Sequence, residues 1–275
     1  MVKLGKVGEN MITITSSSNP TIKKIKSLHR KKDRWINKLY IVEGIKMVEE
    51  IIDNGYDVEY LLYTEKLFDL KGGVELFNRI KHYENLINLP DNLYKEISKV
   101  ETPQGIMAVL PFKETSIENI LKKSNPFLIL LDRIQDPGNL GTIIRTADAF
   151  GVDGILISEG SVDGYNPKVV RATMGSIFRV NILHIKKSLN ILEELKNRGI
   201  KIYSTSLQGK NYIQEINFKI PSLLIIGNES KGVSDELLNM AHSLIKIPMV
   251  GKAESLNAAV ASSIIMYEAM KQRFL

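Results

Sequence analysis

Apolar positions change rhythm along this chain, and the change divides it. Between residues 20 and 35, Ile22, Ile25 and Leu28 recur at helical spacing among lysines and arginines, which predicts a basic amphipathic helix with a thin buried stripe. Further helices are expected over 43–54, 71–80 and 91–99, with β-like runs over 58–64, 85–89 and 106–110. Together these make a small α/β module. Residues 112–126, FKETSIENILKKSNP, are charged and start no strand, so the boundary is expected there, with one domain over 1–112 and another over 113–275. Beyond Pro126 the pattern turns blocky: FLILLD, GILIS, KIYSTS, SLLIIG and LIKIP are apolar or β-prone runs, each followed by a helix or a glycine-punctuated loop. Strands of that kind alternating with helices predict a parallel sheet covered on both faces.

An open parallel sheet binds ligands outside the carboxyl ends of its strands, so the segments after these runs carry the candidate chemistry. Three stand out. After FLILLD, the stretch Asp-Pro-Gly-Asn leads into a helix that holds one arginine, Arg145, among apolar and small residues. Pro137 and Gly138 turn the chain, Asn139 is suited to cap the helix, and Gly141 permits close packing. An ion pair with Asp148 or Glu229 is the structural alternative for Arg145. The second segment is GNESKGVSDELL from Gly227, and the third is PMVGKAESLNAAVAS from Pro248. Neither the dinucleotide pattern G-x-G-x-x-G nor the P-loop pattern fits these loops, which disfavours NAD and ATP.

Charge sharpens the picture more than total composition does. The 37 basic residues outnumber 31 acidic ones only modestly, but Lys23, Lys24, Lys26, Arg30, Lys31, Lys32, Arg34 and Lys38 crowd around the single acid Asp33. A solvated helix face and a site for an anionic polymer both fit that cluster. His29 and Trp35 offer rings that stack on bases, although a lone aromatic at a helix end more often belongs to a core. With no cysteine and four histidines, disulfides, thiolate zinc sites and cysteine nucleophiles are excluded, and no metal is expected. The sequence holds no apolar run near the roughly 20 residues of a membrane span, and its N-terminus lacks the marks of a secretory leader. A cytoplasmic protein without membrane contact is the expectation.

Taken in order and spacing, D-x-x-x-D-P-G-N-x-G-x-x-x-R-T-A, then G-N-E-x-x-G, then I-P-M-x-G-x-x-x-S-L-N-A-A-V-A resemble the SpoU/TrmH family of the SPOUT methyltransferases. These motifs span Asp132 to Ala261. The stretches SNPTIKKIKSLHRKKDRW, YIVEGIKMVEEII and ETPQGIMAVL resemble, more softly, the substrate-binding module of members that act on large-subunit ribosomal RNA.

The resemblance implies an α/β protein with a small N-terminal RNA-binding domain and a C-terminal parallel-sheet SPOUT domain tied in a deep trefoil knot. It implies methyl transfer from S-adenosylmethionine to a ribose 2'-hydroxyl, in 23S ribosomal RNA first, in transfer RNA as the alternative. A noncatalytic RNA-binding relative is the rival class. By motif position, Arg145 would be the central catalytic residue, with Asn139, Glu229, Ser255 and Asn257 orienting it and the nucleotide. Gly227, Ile247 and Leu256, with Ser206 and Leu207 of the loop ending KIYSTSL, would hold the cofactor, and Gly227 would be glycine to let the adenine approach. Lys23, Lys24, Arg30, Lys31, Lys32, Arg34 and Arg171 would contact RNA, joined by Thr173 and Ser176, while Met174 and Phe178 read as core. A homodimer is implied through the last helix, SLNAAVASSIIMYEAMKQR, though a helix buried within one subunit would look the same.

Overall fold

The computed structural model describes residues 12–275, which form two compact units. The first runs to Lys113 and takes in Tyr165–Pro167; the second comprises Glu114–Gly164 and Lys168–Leu275. The expectation about a leader falls on residues 1–11, outside the described residues.

In the first unit the chain passes through β1 (Ile12–Thr13), α1 (Pro20–Ser27), α2 (Lys31–Asn37), β2 (Leu39–Glu43), α3 (Ile45–Asp53), β3 (Tyr60–Tyr63), α4 (Gly73–Ile80), β4 (Leu86–Asn88), α5 (Asp91–Ile97) and β5 (Ile106–Pro111). The sheet order is β1-β4-β3-β5-β2, parallel from β1 to β3 and antiparallel at both pairings of β5. Ile22, Ile25 and Leu28 are fully buried against Leu62, Ile87, Met107 and Val109, so the thin apolar stripe packs on the sheet. The single helix expected over 20–35 is in fact two. After Ser27 the chain tightens into turns, Arg30 is extended, and Arg34, only 2% exposed, donates from Nη1 to the Leu28 carbonyl at 2.7 Å. A carbonyl released at the break is thereby satisfied inside the core. Strand β2 is an addition to the expected elements, since LYIVE carries no alternation to mark it.

The second unit contains α6 (Ile117–Ile120), β6 (Phe127–Leu131), α7 (Pro137–Ala149), β7 (Gly154–Ser158), all but the first residue of α8 (Pro167–Ala172), α9 (Ser176–Arg179), β8 (Ile182–Ile185), α10 (Ser188–Asn197), β9 (Lys201–Thr205), β10 (Asn211–Tyr212), β11 (Ser222–Ile226), α11 (Asp235–Met240), β12 (Ser243–Lys246) and α12 (Ala258–Phe274). Its seven strands run β10-β12-β9-β11-β6-β7-β8 and pair in parallel throughout. Every residue of β6, β7 and β11 is buried, which is why those runs read as unbroken apolar blocks. On one face Leu128, Leu130, Leu223 and Ile225 pack with Leu192 and Leu195 of α10 and Leu237 of α11. Strand β8 escapes the pattern because it is short and His184 interrupts its apolar residues.

The order of connections places the site. From β6 the chain proceeds to β7 and β8 on one side, whereas from β11 it proceeds to β12 on the other. The neighbouring strands β6 and β11 therefore form a topological switch point, and the crevice beyond their carboxyl ends is open to a ligand.

Candidate active site

Asp136, rather than Asn139, caps α7: its Oδ1 accepts from the Asn139 backbone N–H at 2.7 Å, and Pro137 occupies the first helical position. Asp followed by Pro is a helix-start signature present in the sequence. With the cap supplied one turn earlier, the Asn139 side chain is free for other work. It donates from Nδ2 to Glu229 Oε1 at 2.9 Å, and its Oδ1 accepts from Asn257 Nδ2 at 2.9 Å. Asn257 Oδ1 in turn accepts from Ala259 N–H and Val260 N–H, capping α12. Residues 118 positions apart are thus joined in one chain of hydrogen bonds, Glu229 to Asn139 to Asn257.

Glu229 is the anchor of that chain. Its carboxylate also accepts from the backbone N–H groups of Gln135 and Asp136, each at 3.2 Å. Partial burial pushes its pKa up, but the hydrogen bonds from Asn139 and the loop backbone outweigh this and hold it below the ordinary 4.5. At neutral pH it is an ionised acceptor, fully occupied with donors and poorly suited to take a further proton.

Asp132, at the end of β6 and 4% exposed, fixes the second loop from below. Its Oδ2 accepts from Ser234 N–H at 2.8 Å, and its carboxylate pairs with Arg133, whose backbone is left-handed at φ 56°. Asn228 Nδ2 donates to the Arg133 carbonyl at 2.8 Å, while its Oδ1 accepts from Ser230 and Lys231 N–H. Gly227 is glycine for a reason internal to this loop. A Cβ there would lie 2.1 Å from Gly232 C and Val233 N, so main chain packs on main chain, a requirement that stands beside the expected approach of adenine.

A cavity of about 280 Å³ opens beside this loop. Its wall is built from Thr205, Ser206 and Leu207 after β9, Ile226 to Ser230 after β11, Ile245 to Ile247 with Met249 after β12, and Ser255, Leu256, Ala258, Ala261 and Ile265 at the start of α12. All five residues expected to hold a cofactor are in that wall. Ser255 lines it as well, with an exposed side chain.

Arg145 is exposed on α7, and neither alternative partner holds it: Asp148 pairs with Arg179 at 2.7 Å, and Glu229 with Asn139. No hydrogen bond or ion pair ties its guanidinium among the described residues. Gly141, one turn earlier, gives close packing, since a Cβ there would meet Ala172 Cβ at 2.3 Å.

The side chains expected to meet RNA sort by burial. Lys23, Lys31, Lys32 and Arg171 are exposed; Lys24 pairs with Glu59 at 3.1 Å and Arg30 with Asp33 at 2.6 Å. Arg34 is withdrawn from the surface altogether. Thr173 and Ser176 are buried, with Thr173 Oγ1 donating to the Val170 carbonyl, so neither is available to RNA. Phe178 is core as expected, whereas Met174 is 57% exposed and is not. His29 is half-buried with Nε2 at 2.6 Å from the Ile97 carbonyl, and Trp35 packs edge-on against Phe112, so both rings have structural employment.

Known proteins resemble this chain along both units. Residues 126–267 match the model of the SpoU rRNA Methylase family, and residues 19–108 match the MRM3-like substrate binding domain. The chain belongs to the SpoU rRNA methylase family. It is 35% identical over 261 residues to the 23S rRNA (guanosine(2553)-2'-O)-methyltransferase RlmP of Bacillus subtilis, covering 94% of this chain and 98% of that one. It is 31% identical over 239 residues to the 23S rRNA (uridine(2479)-2'-O)-methyltransferase of Streptomyces viridochromogenes, covering 85% and 83%. Among solved structures, the AdoMet-bound rRNA methyltransferase from Sinorhizobium meliloti superposes with a TM-score of 0.84 at 30% identity, over 97% of this chain and 99% of that one. In this SpoU methylase, residues to which the sequence reading gives no role of their own, although the motifs contain the side chains, emerge as builders of the site: Asp132, Asp136, Asn228 and the Gln135 backbone.

Proposed function

We propose that this SpoU methylase transfers a methyl group from S-adenosylmethionine to a ribose 2'-hydroxyl in 23S ribosomal RNA. The observation that carries the reading is the convergence of the three loops: the cavity wall, the Glu229–Asn139–Asn257 chain and the unpartnered Arg145 all stem from the same end of one parallel sheet.

The cavity suits the cofactor. Ile226, Ile245 and Ile265 give it apolar surface for a flat heterocycle, and the glycine and polar residues at the loop ends offer main-chain hydrogen bonds for a polar tail. Gly227, Ile247, Leu256, Ser206 and Leu207 would hold it there. When bound, S-adenosylmethionine supplies an electrophilic methyl on a sulfonium.

The chain's own residues supply the rest. A ribose hydroxyl is a weak nucleophile until it sheds or shares its proton. Arg145 keeps its charge, so it acts by stabilising the developing alkoxide and clamping the target phosphate, not as a base. Glu229, already saturated with donors, holds Asn139 and the first loop in register instead of receiving the proton. Ser255 and Asn257 position the nucleotide at the cavity mouth.

Three further properties belong to the same reading. The C-terminal segments form a deep trefoil knot, a reading supported by membership of the family and compatible with β11 lying between β6 and β9 and with the close approach of Gly209 to the main chain of Leu244 and Ile245. The working form is a homodimer through α12, whose exposed Val260, Ile264 and Tyr267 share one face. Residues 1–112 recruit RNA, with Lys23, Lys31 and Lys32 foremost and Lys24 and Arg30 in support, while 113–275 add Arg171 and carry out transfer in the cytoplasm.

Calorimetric titration with S-adenosylmethionine, together with mapping of 2'-O-methyl sites in ribosomal RNA from cells with and without the gene, tests the proposal. Cofactor binding and loss of one 2'-O-methyl mark in 23S RNA are expected; intact marks throughout 23S RNA would overturn it.

A further inference from the structure

Met174 is exposed over 57% of its surface, and its backbone is left-handed at φ 49°, a conformation that side chains other than glycine, asparagine and aspartate rarely adopt. Gly175 follows at φ 93°, so two successive left-handed residues make the turn from α8 to α9. A strained turn that pushes an apolar side chain into water gains nothing for the fold, and such costs are characteristically retained where a ligand is met.

The packing on either side fixes where this turn runs. Before it, Ala172 presses against Gly141 of α7; after it, Arg179 binds Asp148 of α7 through Nε at 2.9 Å. Gly141, Arg145 and Asp148 are spaced i, i+4 and i+7, so they lie on one stripe of the helix. The segment from 172 to 179 is therefore tied at both ends to the stripe that holds Arg145, with Met174 between the two ties. Thr173, Ser176 and Phe178 anchor the segment by burial, leaving Met174 exposed within it, between Arg171 just before the segment and Arg179 at its end.

We propose that Met174 is a specificity-determining substrate contact, a polarisable apolar platform on which a base of the RNA rests while Arg145 engages the sugar and phosphate. Its thioether would pack against the base of the target nucleotide, as sulfur does against aromatic rings. This rests on Arg145 facing the target ribose, as argued under Proposed function.

The test uses the full-length protein and a set of four variants. Met174→Gly removes the side chain and suits the left-handed backbone, so the melting temperature should hold or rise. Met174→Asn also suits that backbone but is polar, and Met174→Leu restores an apolar side chain. With ribosomal RNA extracted from cells lacking the gene, Met174→Gly and Met174→Asn should fall roughly 5- to 150-fold in kcat/KM for RNA, the range for removal of one base stack. Met174→Leu should recover most of it, and calorimetric affinity for S-adenosylmethionine should be unchanged in all. Met174→Ala, matched in backbone strain to the parent, should weaken RNA affinity to the same extent as Met174→Gly. Wild-type kcat/KM in Met174→Gly would overturn the proposal, as would a shift of the sedimentation-derived dimer equilibrium with RNA affinity unchanged, which would assign Met174 to a protein interface. RNA affinity by fluorescence anisotropy reads the interaction without turnover, so it decides Met174 even if the wild-type protein transfers no methyl group and the reaction assignment itself fails.

Discussion

Two arginines show how differently the two units use the same side chain. Arg34 sits in the most basic stretch of the sequence, yet it is 2% exposed and spends its guanidinium on the Leu28 carbonyl. Arg145 stands alone among apolar residues on α7, yet it is exposed and no described residue holds it. Local charge density points toward the first, and the structure leaves the second available. Burial and partners, not neighbours in sequence, decide whether an arginine is structural or open to a ligand.

The largest effect that would break this contrast is at Arg145. Arg145→Ala should lower single-turnover methyl transfer roughly 10²- to 10³-fold, the scale of removing a charge-stabilising donor, with cofactor affinity within a few fold. Near-normal transfer, followed with radiolabelled cofactor, would remove Arg145 from the reaction centre. Next comes Gly227→Ala, since even one methyl meets the Gly232–Val233 main chain. The loop should shift and cofactor affinity fall at least tenfold, read by calorimetry beside a thermal melt. Unchanged affinity would place the cofactor away from this loop.

Arg34→Ala should act on the other side of the comparison, costing about 1–3 kcal/mol of stability in urea denaturation by leaving a buried carbonyl unpaired. If it instead left stability intact and weakened RNA binding, the contrast would fail. The smallest change is expected from Lys23, Lys31 and Lys32 replaced together by glutamine. For every phosphate no longer neutralised, the slope of log affinity against log salt should flatten by roughly 0.7 to 0.9, with stability and cofactor binding unaltered. An unchanged slope would return the exposed lysines to the role of a solvated face.

Much of this was legible because burial on both faces leaves a direct mark: β6, β7 and β11 stand in the sequence as FLILL, GILIS and SLLII. The site residues were legible as motifs, and their resemblance to a family gave their order a meaning. What the sequence hid was anything decided by distant partners. That Asn139 is relieved of capping by Asp136 and tied to both Glu229 and Asn257 depends on three segments meeting. The break between α1 and α2 depends on a buried arginine reaching back six residues, and helical periodicity runs straight through it. Gly227 was marked as special, but one requirement for it lay in Gly232 and Val233, five and six positions later, folded back upon it.

The strand order has a consequence in time. Strand β6 finds one neighbour at once in β7, but its other neighbour, β11, is paired Phe127 to Ser222 and must wait for nearly a hundred further residues to leave the ribosome. Asn139 waits still longer, for Asn257. Through that interval a wholly apolar strand has a bare edge, a state that invites association with other nascent chains. Distant pairings are also slow to form, because the entropy of closing the loop is spent before any interaction repays it. Methyl transfer therefore waits on both of these distant pairings, and a product stalled before them would carry the sheet's hazards with none of its chemistry.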